Sequence, residues 1–245
     1  MSLSTLDLAF VSAGILGFRH GFDYDHIAAI SDVTSVQEKA STAMRLGLLY
    51  AFGHASMIAL LGGIVILFQL SFPPRLDSWA ERLVGLTLIV LAIYVLGSLV
   101  WGNPKAIPPS RAALILLGFR KLSQRFTSSS PTAADHDENL NYTGPVAFGV
   151  GLIHGLGAET PSQLALFLVA ANLGGVAKGI GGMAMFLAGL LFMNTVMTAS
   201  ACGLFRTAAP HPRIARVFVG LTAVYSIIIG CVFLLHSSNR LPSFG

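Results

Sequence analysis

The sequence predicts an all-α integral membrane protein with about six transmembrane helices, arranged as two inverted three-helix repeats. Its composition, six long apolar stretches and short motifs that recur in both halves lead to this prediction. Of its 245 residues, 54% are hydrophobic and 11% are charged, whereas about 25% of the residues in soluble domains are charged. A chain of this composition lacks the polar side chains that cover a folded surface in water. A soluble enzyme, a disordered regulator and a disulfide-stapled secreted domain are therefore excluded.

Six apolar stretches are long enough to cross a bilayer, which takes about 20 helical residues. They lie at about 6–33, 44–70, 83–101, 144–172, 181–205 and 217–236. We predict a first three-helix repeat at 1–101, a cytoplasmic linker with an interfacial helix at 102–142, and a second three-helix repeat at 143–245.

The loops that would face the cytoplasm hold most of the Lys and Arg residues when the N-terminus is placed outside. This distribution predicts a multi-pass protein of the cytoplasmic membrane with both termini outside. Basic cytoplasmic loops also explain the net charge of +4, so the charge does not indicate nucleic acid as a partner.

Short motifs recur in the same order in the two halves. LGFRHGFDYDHI in the first stretch aligns with VGLIHGLGAETP in the fourth, which matches His20 with His154. The same alignment matches Asp25 with Glu159. Because each unit would contain three spans, the second unit must be inverted relative to the first. Inverted repeats with interrupted helices are typical of transporters, whose substrate site lies near the membrane midplane.

Two further matches extend the repeat. LLYAFGHASM in the second stretch resembles GLLFMNTVMT in the fifth, with Phe52 matched to Phe192 and His54 to Asn194. RLVGLT in the third stretch resembles VFVGLT in the sixth. Three weak matches in one order support a duplicated unit better than any one of them alone.

Ionisable side chains lie inside the predicted spans, where each costs about 2.5–3.5 kcal/mol on insertion scales. The principal ones are His20, Asp23, Asp25, His26, His54, His154 and Glu159. Imidazole and carboxylate ligands together suit divalent metals such as nickel, cobalt and zinc. A proton relay is the alternative, because His and carboxylate chains also mark proton pathways.

A straight helix cannot present the motif in the first stretch to one ion. At about 100° per residue, the Asp25 side chain points about 140° away from that of His20. Gly21 is a candidate position for a break in the helix, as are Gly155, Gly157 and Pro161 in the second half. Unwound backbone is tolerated at membrane depth where it lines a polar cavity.

These segments resemble the nickel/cobalt transporter family. The stretch from His20 to His26 fits the HX4DH signature of that family, and FGHAS around His54 is similar to its LGHS-type motif. LGAETPSQ resembles its LGFDTATE-type motif, with Glu159 in place of an Asp. GLLFMNTVMT matches the fourth motif less well, because Asn194 and Met197 stand where the family has Asp. The resemblance covers residues 19–198, and eight spans are common in that family.

The resemblance implies a single-chain permease, not an enzyme, that moves Ni²⁺ or Co²⁺ as its substrate and uses no organic cofactor. In this hypothesis the ion ligands are His20, Asp25, His26 and His54, and the residues that complete or gate the path are His154 and Glu159. Candidates to orient the imidazoles or to gate the path are Asp23, Ser56, Thr160 and Asn194.

The expected partners are the divalent ion and the lipid bilayer, and the oligomeric state is left open. One alternative is an accessory membrane protein that delivers metal to urease or hydrogenase maturation proteins. Another is a proton-coupled transporter of a different divalent cation. An intramembrane metal-dependent hydrolase would need HExxH or an equivalent, and the sequence contains no HExxH.

Overall fold

The computed structural model describes residues 5–69, 74–101, 143–157 and 174–235, together with 164, 167–169 and 171–172. The predicted linker at 102–142 lies outside the described residues, as do Glu159 and Thr160. The described residues contain no strand and include seven helices with defined ends. We number them α1 (Thr5–His20), α2 (Tyr24–Ser35), α3 (Ala40–Phe68), α4 (Pro74–Trp101), α5 (Gly144–His154), α6 (Val176–Ala208) and α7 (Pro212–Leu234).

Four of these helices, α3, α4, α6 and α7, are long and apolar enough to cross a membrane. The all-helical membrane architecture predicted from the sequence is therefore confirmed. Two of the six predicted spans differ from a continuous helix. The span predicted at 6–33 is divided into α1 and α2, and the span predicted at 144–172 is interrupted after His154.

The helix ends follow from local sequence. Pro145 and Pro212 lie in the first turns of α5 and α7, where the missing amide hydrogen of proline costs no helical hydrogen bond. Asp23 has an extended backbone (φ −67°, ψ 158°) and begins α2. α3 ends at Phe68, and the residue that follows, Gln69, has a left-handed conformation with φ +54°. This conformation closes helices by preventing their continuation.

Glycines set the closest helix approaches. A methyl group added to Gly17 on α1 would collide with the backbone of Phe186 on α6. One added to Gly151 on α5 would collide in the same way with the backbone of Tyr50 on α3. Small residues allow such contacts between membrane helices, and the van der Waals packing gained there drives their association.

Helix directions can be read from which residues meet. Along α1 and α6, Gly14 lies against Met185 and Gly21 against Met193, so these two helices run parallel. α3 and α5 are also parallel. Their contacting pairs are Gly53 with Phe148 and Gly155 with Met57.

Other pairs of helices run in opposite directions. Gly47 lies against Thr198 and Gly62 against Met183, which makes α3 and α6 antiparallel. α4 and α7 are antiparallel by the same criterion. Their contacting pairs are Gly85 with Leu234 and Gly230 with Ile89. It follows that α1 and α5 also run in opposite directions, because each is parallel to one member of the antiparallel pair α3 and α6.

The short helix α2 occupies the interior and packs against α3, α4, α6 and α7. Its apolar residues Ala28, Ala29, Ile30 and Val33 belong to the largest buried cluster, which also contains residues of α3, α4, α5 and α7. The helix therefore carries its polar residues into the protein interior as well.

Candidate metal centre

A break between α1 and α2 brings the HX4DH motif together. After His20 the backbone makes two tight turns, in which the Phe22 amide donates to the Arg19 carbonyl and the Asp23 amide to the His20 carbonyl. An Asp at the start of a helix ordinarily accepts a bond from a first-turn amide, but the Asp23 side chain makes no such bond. Its carboxylate instead accepts a 2.6 Å hydrogen bond from Nδ1 of His20. The predicted break is therefore present, at residues 21–23.

Three imidazoles from three helices form a buried cluster. His20, His26 and His54 each offer a nitrogen atom, and these atoms lie within 4.8 Å of one another. The distances between ring centroids are 5.0 Å for His20 and His26, 5.3 Å for His20 and His54, and 4.3 Å for His26 and His54. His26 and His54 are fully buried and His20 is 6% exposed.

The spacing of these nitrogens suits one metal ion. Nε2 of His20 lies 3.2 Å from Nε2 of His54. Two imidazole nitrogens at about 2.0–2.1 Å from a common divalent ion, with ligand angles of about 90–110°, are about 2.9–3.4 Å apart. The pair therefore already has the separation of two ligands of a first-row metal.

Outer hydrogen bonds fix the tautomers of two of the rings. Nδ1–H of His20 donates to Asp23, and Nδ1–H of His26 donates to Oδ1 of Asn194 at 3.0 Å. Since each neutral ring carries one hydrogen, Nε2 of both rings keeps its lone pair. Nε2 of His26 has no hydrogen-bond partner within the described part of the chain. This arrangement, with Nδ1 anchored and Nε2 available, is the one that metal-binding histidines use.

His54 completes the cluster, and its ring hydrogen lies on Nε2, the nitrogen that faces His20. Because Nε2 of His20 has a lone pair, the hydrogen between the two rings belongs to Nε2 of His54, which donates to His20. Nδ1 of His54 lies buried without a partner among the described residues. A metal ion that binds at Nε2 of His54 must therefore displace this hydrogen.

His154 lies beside the cluster and is held by two hydroxyl groups. The Thr87 hydroxyl donates its hydrogen to the Val84 carbonyl, so Nε2–H of His154 donates to Thr87 Oγ1 at 2.7 Å. Nδ1 of His154 then accepts from the Tyr50 hydroxyl at 3.0 Å. Both nitrogens are occupied, and the structure does not bring this ring into the three-histidine cluster.

Two other predicted site residues, Asp25 and Ser56, do not belong to the three-histidine cluster. Asp25 is buried, and its carboxylate lies close enough to His26 and His154 to interact with them electrostatically. It is not one of the three residues whose ligand atoms converge. Ser56 is exposed, and its hydroxyl donates to the Phe52 carbonyl on its own helix, so it does not reach the cluster.

Tyr50 and Thr87 were missed by the sequence analysis. Tyr50 contacts the rings of His26, His54 and His154, with centroid distances of 5.9, 6.4 and 5.5 Å. Its position one helical turn before His54 was a usable signal, because residues four apart share a helix face. Thr87 belongs to the repeated RLVGLT segment, but nothing in that segment indicates a histidine partner.

Comparison with known proteins gives matches along nearly the whole chain. Cobalt transport protein NhlF of Rhodococcus rhodochrous is 24% identical over 261 aligned positions, which cover 96% of this chain and 72% of NhlF. The high-affinity nickel transport protein of Cupriavidus necator is 21% identical, with 88% of this chain and 66% of that protein covered. The chain is a relative of the nickel/cobalt transporters. It spans about two thirds of the length of these two proteins.

A third relative has a different name. Urease accessory protein UreH of a Bacillus species is 23% identical, and the match covers 96% of this chain and 92% of UreH. No protein-family model and no solved structure matches the chain.

The break within the HX4DH motif of the nickel/cobalt transporters recurs in the second half of this chain. Following His154, the amides of Gly155, Leu156 and Gly157 donate to the carbonyls of Gly151, Ile153 and His154. These bonds repeat, 134 residues later, those made after His20.

One pairing in the repeat alignment is wrong by a helical turn. The helix contacts described above match Tyr50 with Phe186 and Gly53 with Gly189, a separation of 136 residues. At this separation His54 corresponds to Leu190 and not to Asn194. The alignment erred because the sequence similarity of α3 and α6 is weak, whereas the depth of each helix is set by its glycine contacts. Asn194 instead lies where it can bind His26.

Replacing Asn194 tests this role. Asn194→Leu removes the acceptor of the His26 Nδ1–H bond, so the ring loses its fixed orientation, and we expect metal affinity to fall by about 10–100-fold. Asn194→Asp keeps an acceptor oxygen at the same place and should retain most of the affinity. Calorimetric titration of the detergent-solubilised protein with Ni²⁺ measures both. Equal affinity of the Leu variant and the unmodified protein would remove Asn194 from the site.

Proposed function

We propose that this protein is a secondary transporter, not an enzyme, that moves Ni²⁺ or Co²⁺ across the cytoplasmic membrane. The observation that carries the proposal is the cluster of three buried imidazoles contributed by three different helices. The names of the cobalt and nickel transport proteins that it resembles indicate the class of metal. The ion is the cargo in this proposal, and no organic cofactor takes part.

The arrangement of the helices supports two inverted three-helix repeats. In this proposal α1 and α2 correspond to α5 and the segment that follows it, α3 corresponds to α6, and α4 to α7. The helices α1, α3 and α4 run opposite to α5, α6 and α7, respectively, and the same backbone turns follow His20 and His154. The cluster then lies where the interrupted helix of one repeat meets the other repeat, the usual place of a transporter site. Both termini would lie outside.

The surroundings of the cluster explain how a dehydrated ion is tolerated. A divalent cation among apolar helices is costly unless negative charge lies close by. Asp23 bonds to His20, and Asp25 interacts with His26. We propose that the imidazoles replace water in the ion's coordination sphere, that Asp25 lowers the cost of the ion's charge, and that His154 and Glu159 line the path beyond.

The transport proposal is tested with vesicles that contain this protein alone. We expect saturable uptake of Ni²⁺ or Co²⁺ that requires His20, His26 and His54. The similar length of UreH and its 92% coverage favour a second candidate, in which the protein delivers metal to urease or hydrogenase maturation proteins. Metal binding without any uptake in these vesicles would support the delivery role and contradict transport.

Metal affinity should depend on pH. Metal binds neutral imidazole, whose ordinary pKa is about 6.5. Protons therefore compete with the ion as the pH falls to this value and below it, and we expect the affinity to change little near pH 8 and to fall increasingly toward about pH 5. Because several rings act together, more than one proton should be released per ion, which titrations in buffers of different ionisation enthalpy can count. A flat affinity over this range would mean that carboxylates or carbonyls hold the ion.

A further inference from the structure

Asp32 is a buried acid that the metal cluster does not use. Its side chain is 0% exposed, and neither of its carboxyl oxygens has a hydrogen-bond partner within the described part of the chain. Ser226 on α7 is also 0% exposed, and its hydroxyl likewise lacks a partner there. Since buried polar groups are almost always paired, two such groups in one helix contact require an explanation.

Within the part of the chain that the structure describes, no compensating charge interacts with Asp32. The Ser226 hydroxyl faces the carboxyl group across the contact of α2 with α7. The neighbouring titratable group on α7, Tyr225, donates its hydrogen to the Tyr24 carbonyl at 3.4 Å. The described residues of α3, α4, α6 and α7 bring no charged group into interaction with Asp32.

An ionised carboxylate in this position would have a large free-energy cost, because it has lost water and, among the described residues, faces a single hydroxyl group and no cation in exchange. A neutral carboxyl group avoids this cost, since it can donate its hydrogen to the Ser226 oxygen. Asp32 therefore fits this packed arrangement when it carries a proton. It can release the proton only when helix movement lets water reach it. Ionisable groups inside membrane proteins commonly bind and release protons in this way.

Asp32 and the metal cluster are linked by one short helix. His26 and Asp32 are six residues apart on α2, which places them about 9 Å apart along the axis and about 120° apart around it. His26 meets Asn194 and His54 on one side, and Asp32 meets Ser226 on another. A movement of α2 that exposes Asp32 to water must therefore also displace His26.

We propose that Asp32 is the proton-binding residue through which metal transport is coupled to a proton gradient, an inference that rests on the proposed transport function. The arrangement that assembles the three imidazoles is also the one that buries Asp32. The metal-loaded protein is thus the one with a proton on Asp32, and both cations cross in the same direction. The proton enters Asp32 from the side that supplies the metal and leaves it on the other side.

The test separates exchange of metal from its net accumulation. Asp32→Asn resembles the protonated acid permanently, so vesicles with this variant should exchange ⁶³Ni²⁺ for unlabelled Ni²⁺ within about twofold of the unmodified protein. Accumulation driven by an imposed pH gradient should fall by at least about tenfold, because the empty protein cannot return without releasing its proton. Ser200→Ala is the control and should leave both measurements unchanged, because this serine is exposed on α6 and its hydroxyl donates only to the Val196 carbonyl of its own helix.

Other outcomes overturn the inference. Driven accumulation by Asp32→Asn equal to that of the unmodified protein contradicts it, as does a loss of exchange together with accumulation. Accumulation by the unmodified protein that follows a sodium gradient and ignores pH also contradicts it, while leaving the proposed transport intact. If the unmodified protein neither exchanges nor accumulates metal, the transport function itself fails and the inference fails with it.

Ser226→Ala gives a second test that keeps the acid, in case Asp32→Asn does not insert into membranes. Removal of the facing hydroxyl should shift the pH at which driven uptake is half-maximal to a higher value, because the hydroxyl can no longer donate to the ionised carboxylate. An unchanged pH profile in this variant contradicts the coupling role.

Discussion

Replacing His26 by alanine is expected to abolish high-affinity metal binding and uptake. His26 supplies a nitrogen with no other partner among the described residues, and its ring is anchored through Asn194. Loss of a group that only orients a ligand costs about 10–100-fold in metal affinity. Removal of one of the three imidazole ligands should cost more, so we expect the affinity for Ni²⁺ to fall by at least about 100-fold. Insertion into the membrane should remain normal, because alanine costs little there.

A matched histidine elsewhere supplies the control. His211 is exposed at the start of α7, so His211→Ala should bind and transport the ion as the unmodified protein does. Calorimetric titration and uptake into vesicles should agree for each variant. Normal uptake by His26→Ala would remove this residue from the site, and equal losses for His26→Ala and His211→Ala would indicate a non-specific effect.

Adding one methyl group at Gly17 is expected to destabilise the whole assembly. The new Cβ atom would meet backbone atoms of Phe186, which cannot rotate away as a side chain can. We expect Gly17→Ala to lower the free energy of unfolding by about 3 kcal/mol or more, the upper end of the usual overpacking range. Gly151→Ala meets the backbone of Tyr50 and should have a similar effect.

Two other glycines provide controls, because replacing them by alanine should not lower the free energy of unfolding. Nothing lies near the positions that a Cβ atom would occupy at Gly63 and Gly203. Both glycines lie in helix interiors, where alanine is favoured over glycine. Replacing either one by alanine should leave the free energy of unfolding unchanged or raise it by up to about 1 kcal/mol. Thermal unfolding in detergent, followed by fluorescence-detected gel filtration, measures all four variants. Equal stability of Gly17→Ala and Gly63→Ala would contradict the close approach of α1 and α6.

Part of the site could be predicted from the sequence because the signals are local. The spacing of His20 and Asp25 indicates a helix break, because a straight helix would point their side chains about 140° apart, and the break lies at residues 21–23. The cost of an ionisable group in lipid, together with the resemblance of FGHAS to a motif of the nickel/cobalt transporters, also marked His54 as a candidate. Apart from that resemblance, these inferences need only neighbouring residues, the period of the helix and the cost of polar groups in lipid.

The partners of these residues could not be predicted, because they depend on how helices distant in sequence are rotated and aligned in depth. Tyr50 and Thr87 hold His154, although nothing in the sequence joins them. Asn194 was assigned to the wrong counterpart by a full turn, although the sequence had made it a candidate to orient an imidazole, and its side chain is hydrogen-bonded to His26. A shift of one turn preserves both hydropathy and helix face, so sequence patterns barely distinguish the two alignments.

The sequence by itself determined the helical membrane class and singled out imidazoles as candidate metal ligands, since both depend on composition and on residues close together in the chain. Only the tertiary structure decided which helices meet, that three imidazoles converge, and that Asp32 and Ser226 are buried against each other without other partners within the described residues. The physical reason is that contacts between helices are set by short-range packing at glycines such as Gly17 and Gly151. A helix can slide or turn against its neighbour with almost no change in its own hydropathy, but not without breaking that packing.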